Sequence, residues 1–171
     1  PQFVEKRGRA EFDMFGAHPC TAAGMAGTRF TVWAPAARTV YVMGSFNEWN
    51  GISHPLQRGA DGIWSIFVEE VAEYTVYKYR IIGPDGNQFD KADPFGFAME
   101  LRPRTASVVA DIDSYPWGDR RWMNSRGTRQ ALDRPLSFYE VHLGSWRKEP
   151  DATWGERYLT YRELADRLIP Y

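Results

Sequence analysis

Tryptophan, amide and lysine side chains suit the recognition of a sugar ring, and one predicted turn of this sequence has them close together. Trp49 is flanked by Asn47 and Asn50 in the motif Phe-Asn-Glu-Trp-Asn-Gly at residues 46–51. The axial C–H face of a sugar packs on an indole, while its hydroxyls hydrogen-bond at the rim. Lys78, on a later predicted strand, can add a cation. The alternative is that Trp49 caps a hydrophobic core, because tryptophans are usually well buried.

A second group of polar residues, Glu140 and His142, lies on one side of a strand predicted at residues 138–143. At the C-terminal end of a barrel strand such side chains can line an active site. Glycoside chemistry, however, needs two carboxylates held at a defined separation, and the sequence indicates no such pair. We therefore favour a structural role for both residues and assign no catalytic residue.

Other chemistries lack their sequence patterns. His18, His54 and His142 are dispersed, and no Cys/His pair has the spacing of metal ligands. The glycines form no phosphate-binding loop, and no serine nucleophile motif is present. Cys20 is the single cysteine, which excludes an internal disulfide. The sequence thus predicts neither a metal site nor a cofactor.

Composition narrows the class of protein. The 171 residues are 43% hydrophobic and 15% aromatic, which is typical of a globular protein. A formal net charge of −1 gives no attraction toward nucleic acid or anionic membrane. No apolar run has the length of a transmembrane helix, and the first residues do not resemble a signal peptide. We expect a cytoplasmic protein with neither nucleic acid nor membrane as a partner.

The elements that must position Trp49 and Lys78 are short strands. Hydrophobic residues alternate with polar ones in several runs, and turn signals such as Asp61-Gly62 and Pro84-Asp-Gly-Asn87 separate them. These runs are centred on residues 29–32, 40–43, 64–68, 77–81 and 105–110. With no helical pattern between them, the sequence predicts an antiparallel β-sandwich of roughly 90 residues.

The sequence divides into four predicted parts. Residues 1–24 form a lead-in, residues 25–115 form the sandwich, residues 116–136 form a linker, and residues 137–171 form a strand, a loop and a helix. Arginines and tryptophans interleave in the linker, a pattern that can mean nucleic-acid binding. Because acidic residues interrupt the run and the rest of the chain is not basic, we favour a solvated connector.

The last part has the pattern of one βα unit. Thr160 and Glu163 fit a capping box at the start of a helix, and Pro170 ends or kinks that helix. A single βα unit cannot bury its own strand. We therefore expect the strand at residues 138–143 to begin a larger barrel, which the sequence leaves after its first βα step.

The motifs of both parts resemble one family. The run Tyr-Glu-Val-His-Leu-Gly-Ser-Trp-Arg at residues 139–147, with residues 161–171, resembles the start of the catalytic barrel in glycogen (1,4-α-glucan) branching enzymes of the α-amylase superfamily. The family's N-terminal domain is an early-set, immunoglobulin-like β-sandwich, a carbohydrate-binding module of the glycogen-binding kind. Its motifs are similar to residues 27–35, 46–51, 77–79, 91–95 and 102–107.

This resemblance implies a mainly β chain, in which the sandwich precedes the first βα unit of a truncated (β/α)8 barrel. It implies an enzyme that cuts an α-1,4 bond in a glucan and rejoins the segment through an α-1,6 bond, by a retaining mechanism. The family's catalytic carboxylates lie on later barrel strands, so this chain alone is expected to be inactive. The implied partners are glycogen or maltodextrin and the rest of the barrel. The alternative is a stand-alone glucan-binding or regulatory module.

The resemblance also implies a binding surface. Trp49 and Lys78 match positions that hold glucan in the glycogen-binding modules of related regulatory proteins, and Phe89 stands where those modules have a further aromatic residue. We therefore expect carbohydrate binding at Trp49, Lys78 and Phe89. Whether the sandwich binds sugar or only braces the barrel stays open at this point.

Overall fold

The structure is a computed structural model that describes residues 9–171, with side chains from Glu11 onward. The chain separates into two compact units, the first of which ends at Pro116 and the second of which is Trp117–Tyr171. The first eight residues of the predicted lead-in lie outside the described residues.

The first unit contains two antiparallel sheets. In spatial order, one sheet consists of β1 (Gly16–Ala22), β2 (Met25–Trp33), β5 (Ile63–Glu69) and β4 (Gln57–Arg58). The other consists of β3 (Thr39–Gly44), β6 (Val76–Ile82), β9 (Ser107–Val108) and β8 (Ala98–Met99), with β7 (Gln88–Lys91) also paired to β6. The predicted mainly β architecture is confirmed.

Buried and exposed side chains alternate along the strands, and the buried ones form the core between the two sheets. In β6, Tyr77 and Tyr79 are buried, while Lys78 and Arg80 point to the opposite face, as the sequence predicts. Each large apolar side chain that leaves water in this way stabilises the fold by about 1.5–3 kcal/mol. The core is completed by Ala17, Phe30, Val32, Ala37, Val40, Val42, Leu56, Trp64, Val68, Val71 and Val109.

The structure differs from the predicted lead-in at residues 16–22. These residues form β1, which pairs with β2 along its whole length, and a short helix, α1 (Arg9–Met14), precedes it. Ala23 and Gly24 connect the two strands with φ of 51° and 85°, the backbone that tight hairpin turns require. Three consecutive exposed residues, Pro19, Cys20 and Thr21, interrupt the alternation in the sequence, so the pattern does not indicate a strand there.

The second unit consists of short elements. They are α2 (Arg120–Arg129), α3 (Leu143–Trp146), the hairpin of β10 (Lys148–Asp151) with β11 (Gly155–Tyr158), and α4 (Tyr161–Leu168). The predicted capping box is confirmed, because Glu163 N–H donates to Thr160 Oγ1 while Thr160 N–H donates to Glu163 Oε2 at 2.8 Å. None of the helices among residues 9–171 combines the length and the apolar character needed to cross a membrane.

The strand predicted at residues 138–143 is wrong for this structure. Residues 138–142 pair with no strand in the described part of the chain, and Leu143 begins α3. A parallel barrel strand forms hydrogen bonds to a neighbouring strand on each side. The hydrophobic pattern of one segment therefore cannot produce a strand where no neighbour pairs with it. The truncated barrel therefore remains a prediction from the family resemblance.

Candidate functional site

The turn after β3 holds Trp49 in an unusual backbone conformation. A 3-10 helix, Ser45–Asn47, leads into Glu48 and Trp49, whose φ values are 53° and 60°. The left-handed region costs a residue other than glycine about 1–2 kcal/mol. Such strain persists only where surrounding contacts determine the conformation, and it often marks functional sites.

The side chain of Asn47 supplies those surrounding contacts. Its Oδ1 accepts from Gly44 N–H at 2.9 Å, and its Nδ2 donates to His54 Nδ1 at 2.9 Å. The same Nδ2 lies 3.1 Å from Ser53 Oγ and 3.2 Å from Asn50 O. The sequence motif predicts that this amide serves a sugar ring. In the structure its hydrogen bonds fix the turn instead.

The indole of Trp49 is 42% exposed and lies outside the buried core. The alternative that Trp49 caps the core is therefore not supported. Together with Lys78 it borders an open hollow of about 460 Å³ on the outer face of β6. The residues lining the hollow are Ser45, Trp49, Val76, Lys78, Glu100, Arg104, Thr105 and Ala106.

The far wall of this hollow comes from the loop between β8 and β9. Lys78 Nζ donates to Thr105 Oγ1 at 2.8 Å, which fixes the ammonium group at the edge of the hollow. Glu100 accepts from Ala106 N–H at 3.2 Å and lies 3.7 Å from the guanidinium of Arg104. The sequence pattern does not identify Thr105, Glu100 and Arg104 as lining residues. They fall beside or within the motif at residues 102–107, which was the one signal available.

These groups suit binding rather than bond cleavage. The hollow is within the range of about 300–1,000 Å³ typical of ligand pockets. One flat indole face is surrounded by hydroxyl, ammonium, guanidinium and carboxylate groups, which match the donors and acceptors of sugar hydroxyls. Glu100 is the one carboxylate among the lining residues, so the pair required to hydrolyse or transfer a glycosidic bond is missing there.

Phe89 does not join this hollow, which corrects the expected group of three binding residues. It lies opposite Ile81 in the β6–β7 ladder, and Ile81 faces the other side of the sheet from Lys78. The ring is 47% exposed, with Lys91 Nζ 5.9 Å from its centre. It borders a separate hollow with Pro35 and Pro84. The structure thus brings Trp49 and Lys78 together without Phe89.

Glu140 and His142 are exposed in the second unit. His142 Nδ1 lies 2.8 Å from Ser145 Oγ, and the ring borders a hollow of about 670 Å³ with Tyr158 and Leu164. Glu140 is absent from the lining residues. The hollow therefore brings no carboxylate to His142, and the structural role of both residues stays a prediction.

A buried carboxylate supports the site from inside the sheet. Asp93 is 5% exposed, and its Oδ2 accepts from the hydroxyls of Tyr77 at 2.7 Å and Tyr79 at 3.3 Å. Its Oδ1 accepts from Phe95 N–H, and its own N–H donates to Ser107 Oγ at 2.9 Å. Burial raises the pKa of Asp93 above its usual value. Because the two tyrosines flank Lys78, this cluster fixes the strand that carries it.

Comparison with known sequences gives two results. The family model described as carbohydrate-binding module 48 (isoamylase N-terminal domain) matches residues 14–96. The 1,4-α-glucan branching enzyme GlgB of Synechococcus elongatus is 45% identical over 99% of this chain, and that of Bacillus caldolyticus is 49% identical over 99%. The chain spans 24% and 25%, respectively, of these two relatives.

Among solved structures, a Paenibacillus barengoltzii pullulanase mutant complexed with maltotriose is similar to this chain. The TM-score is 0.51 at 25% identity, and the match covers 70% of this chain and 17% of the pullulanase. The resemblance that the sequence motifs indicated, to the N-terminal part of glycogen branching enzymes, is confirmed by these matches.

Proposed function

We propose that this chain, which resembles 1,4-α-glucan branching enzymes over nearly its whole length, is the N-terminal portion of such an enzyme. The parent enzyme would transfer α-1,4-glucan segments to form α-1,6 branches during glycogen synthesis. The identity of nearly half the residues across both units supports this proposal. We further propose a cytoplasmic location, on the sequence grounds given above.

We assign catalysis to parts of the parent enzyme other than residues 9–171. A retaining glycosyl transfer needs a carboxylate nucleophile and a carboxylic acid about 5–5.5 Å apart. None of the three hollows that border a predicted site residue in the two units supplies such a pair. The proposal therefore divides the work: this chain binds glucan, and the remainder of the barrel performs the transfer.

The 171-residue chain by itself is expected to have no branching activity. Incubation with amylose should leave the iodine-stained absorbance spectrum unchanged, whereas the full-length Bacillus caldolyticus relative should shift the spectrum under the same conditions. A shift produced by the 171-residue chain would contradict the assignment of catalysis to the rest of the barrel.

The first unit is proposed to bind α-glucan at Trp49 and Lys78. The observation that supports this most directly is the strained, half-exposed tryptophan beside an ordered lysine in one hollow. A glucose ring would stack on the indole, and its hydroxyls would reach Lys78, Thr105 and Glu100. With one stacking face in an open hollow, the affinity for a single site is expected to be weak, on the order of millimolar.

Replacing Trp49 is expected to remove this binding without unfolding the unit. In gels that contain glycogen, the parent chain should be retarded, and Trp49→Ala and Trp49→Gly should lose the retardation, with at least about a tenfold lower affinity. Trp49→Gly also removes the strain of the left-handed backbone. Its free energy of unfolding should therefore be at least equal to that of Trp49→Ala, and up to about 1 kcal/mol higher.

Trp154→Ala serves as the matched control, because Trp154 is an exposed tryptophan on the hairpin of the second unit. Its retardation should equal that of the parent. Equal retardation of the Trp49 variants would mean that glucan binds elsewhere. A parent chain that glycogen does not retard would leave the sandwich as a brace for the barrel.

A further inference from the structure

The guanidinium of Arg80 takes the place that a side chain at residue 51 would occupy. Arg80 lies on β6, on the same face as Lys78 and two residues after it. A Cβ atom added to Gly51 would overlap Arg80 Nη1 and Cζ. Residue 51 therefore has to be glycine for the turn to lie directly against this guanidinium.

Asp90 holds the other side of the same guanidinium. Arg80 Nε donates to Asp90 Oδ1 at 2.8 Å, and Nη2 donates to Oδ2 at 2.9 Å. The two residues are directly opposite in the β6–β7 ladder, so the backbone register fixes the two-point contact. Planar, bidentate pairs of this kind orient an arginine more strictly than one hydrogen bond does. The guanidinium cannot move away from Gly51 without breaking this pair.

Strand β6 thus supports both halves of the proposed site. It carries Lys78 itself, and through Arg80 it contacts the turn that carries Trp49. We propose that Arg80, oriented by Asp90, is a positioning residue. Its guanidinium sets how closely the turn at Gly51 approaches β6, and this determines the position of Trp49 relative to Lys78. This inference rests on the proposed glucan binding at those two residues.

The effect of the Arg80–Asp90 pair on the position of Trp49 can be measured separately from its effect on folding. The side chains of Arg80 and Asp90 are 23% and 36% exposed, and ion pairs at such positions contribute little to stability. The strained turn has its own internal hydrogen bonds from Asn47, and these involve neither Arg80 nor Asp90. Loss of the pair should therefore leave the unit folded while Trp49 is held less firmly over the hollow.

Arg80→Lys and Gly51→Ala in the 171-residue chain test the proposal. Lysine keeps the charge but lacks the planar fork, and alanine displaces the guanidinium from the turn. Each variant is expected to lose about tenfold in affinity for glycogen, measured by gel retardation. Its unfolding midpoint should stay within about 2 °C of the parent.

The matched control is Arg58→Ala. Arg58 also packs its guanidinium on a neighbour, 5.7 Å from the ring centre of Trp64, and donates to Pro35 O, but it lies on the other sheet. Its affinity for glycogen should equal that of the parent. An equal loss in this control would mean that any arginine on the unit matters, and it would overturn the proposal.

Two other results would also overturn it. If Arg80→Lys keeps the glycogen affinity of the parent, the two-point contact of the Arg80 guanidinium with Asp90 does not position Trp49. If Arg80→Lys loses affinity only together with folding, the arginine is a residue of the fold. A failure of the proposed function looks different: Trp49→Ala would then bind glycogen as the parent does, and the Arg80 variants would have no site to position.

Discussion

Replacing Asp93 with alanine is expected to lower the free energy of unfolding of the first unit by about 3 kcal/mol. The change leaves the buried hydroxyls of Tyr77 and Tyr79 and the amide of Phe95 without their acceptor. Each unpaired polar group costs about 1–3 kcal/mol, while release of a buried carboxylate offsets part of that sum. Urea unfolding, monitored by circular dichroism, measures the loss.

Asp85→Ala is the control for this experiment, because the hydrogen bonds that Asp85 accepts from the described residues lie within an exposed turn. It should cost at most about 1 kcal/mol. Equal losses in the two variants would contradict the role given to the buried cluster. A larger loss for Asp93→Ala also predicts weaker glycogen binding near the unfolding midpoint, since the cluster supports Lys78.

The pH dependence of the same cluster has a defined sign. Because burial raises the pKa of Asp93, the folded chain holds a proton on this group at pH values where the unfolded chain has released it. The contribution of Asp93 to the free energy of unfolding is therefore fully present below the pKa that Asp93 has in the unfolded chain. It is lost as the pH rises through the raised pKa of the folded chain. The difference in free energy of unfolding between the parent and Asp93→Asn should therefore decrease as the pH rises between these two pKa values. An increase would contradict the inferred direction.

Hydrogen exchange is expected to differ greatly between the two units. Within residues 117–171, only Leu159 and Leu164 are buried, and the β10–β11 hairpin is a two-stranded sheet of the kind that is marginally stable alone. Amides of residues 137–171 should exchange at least about a thousandfold faster, relative to their unfolded rates, than the core amides of Val40 and Val42.

Mass spectrometry of peptides after exchange in deuterated buffer provides this comparison, with the β3 peptide as the internal standard. Equal protection of residues 137–171 and of β3 in a monomer would mean that the second unit has a complete core. In that case the prediction from the family resemblance, that residues 138–143 belong to a larger barrel, would have to be abandoned.

Local sequence patterns predicted the elements whose structure depends on near neighbours. The alternation of Tyr77 and Tyr79 with Lys78 placed each side chain on its correct face, because a strand's period of two is a local property. The capping box of Thr160 and Glu163 is also local, spanning three residues. Residues 138–143 show the limit of local patterns: their alternation predicts a strand, but residues 138–142 pair with no strand in the described part of the chain.

The candidate site shows the same division. Trp49 and Lys78 were predicted from residue type, but the face on which Phe89 lies is set by the register between β6 and β7. The loop that carries Thr105 reaches Lys78 across a separation of 27 residues, a contact that no short motif specifies. Asn47 has the residue type of a sugar ligand, yet its hydrogen-bonding capacity is used by its own turn.

The edges of the four-stranded sheet bear on how the protein behaves when many copies are present. An edge strand exposes unpaired amides and carbonyls on which another chain can add a strand. Here one edge is β1, where Pro19 lacks an amide proton, and the other is β4, which has only two residues. On each edge the continuous template is short, because Pro19 interrupts β1 and only residues 66–69 of β5 extend uncovered beyond β4. Copies of this chain at high concentration would therefore resist β-aggregation through this sheet.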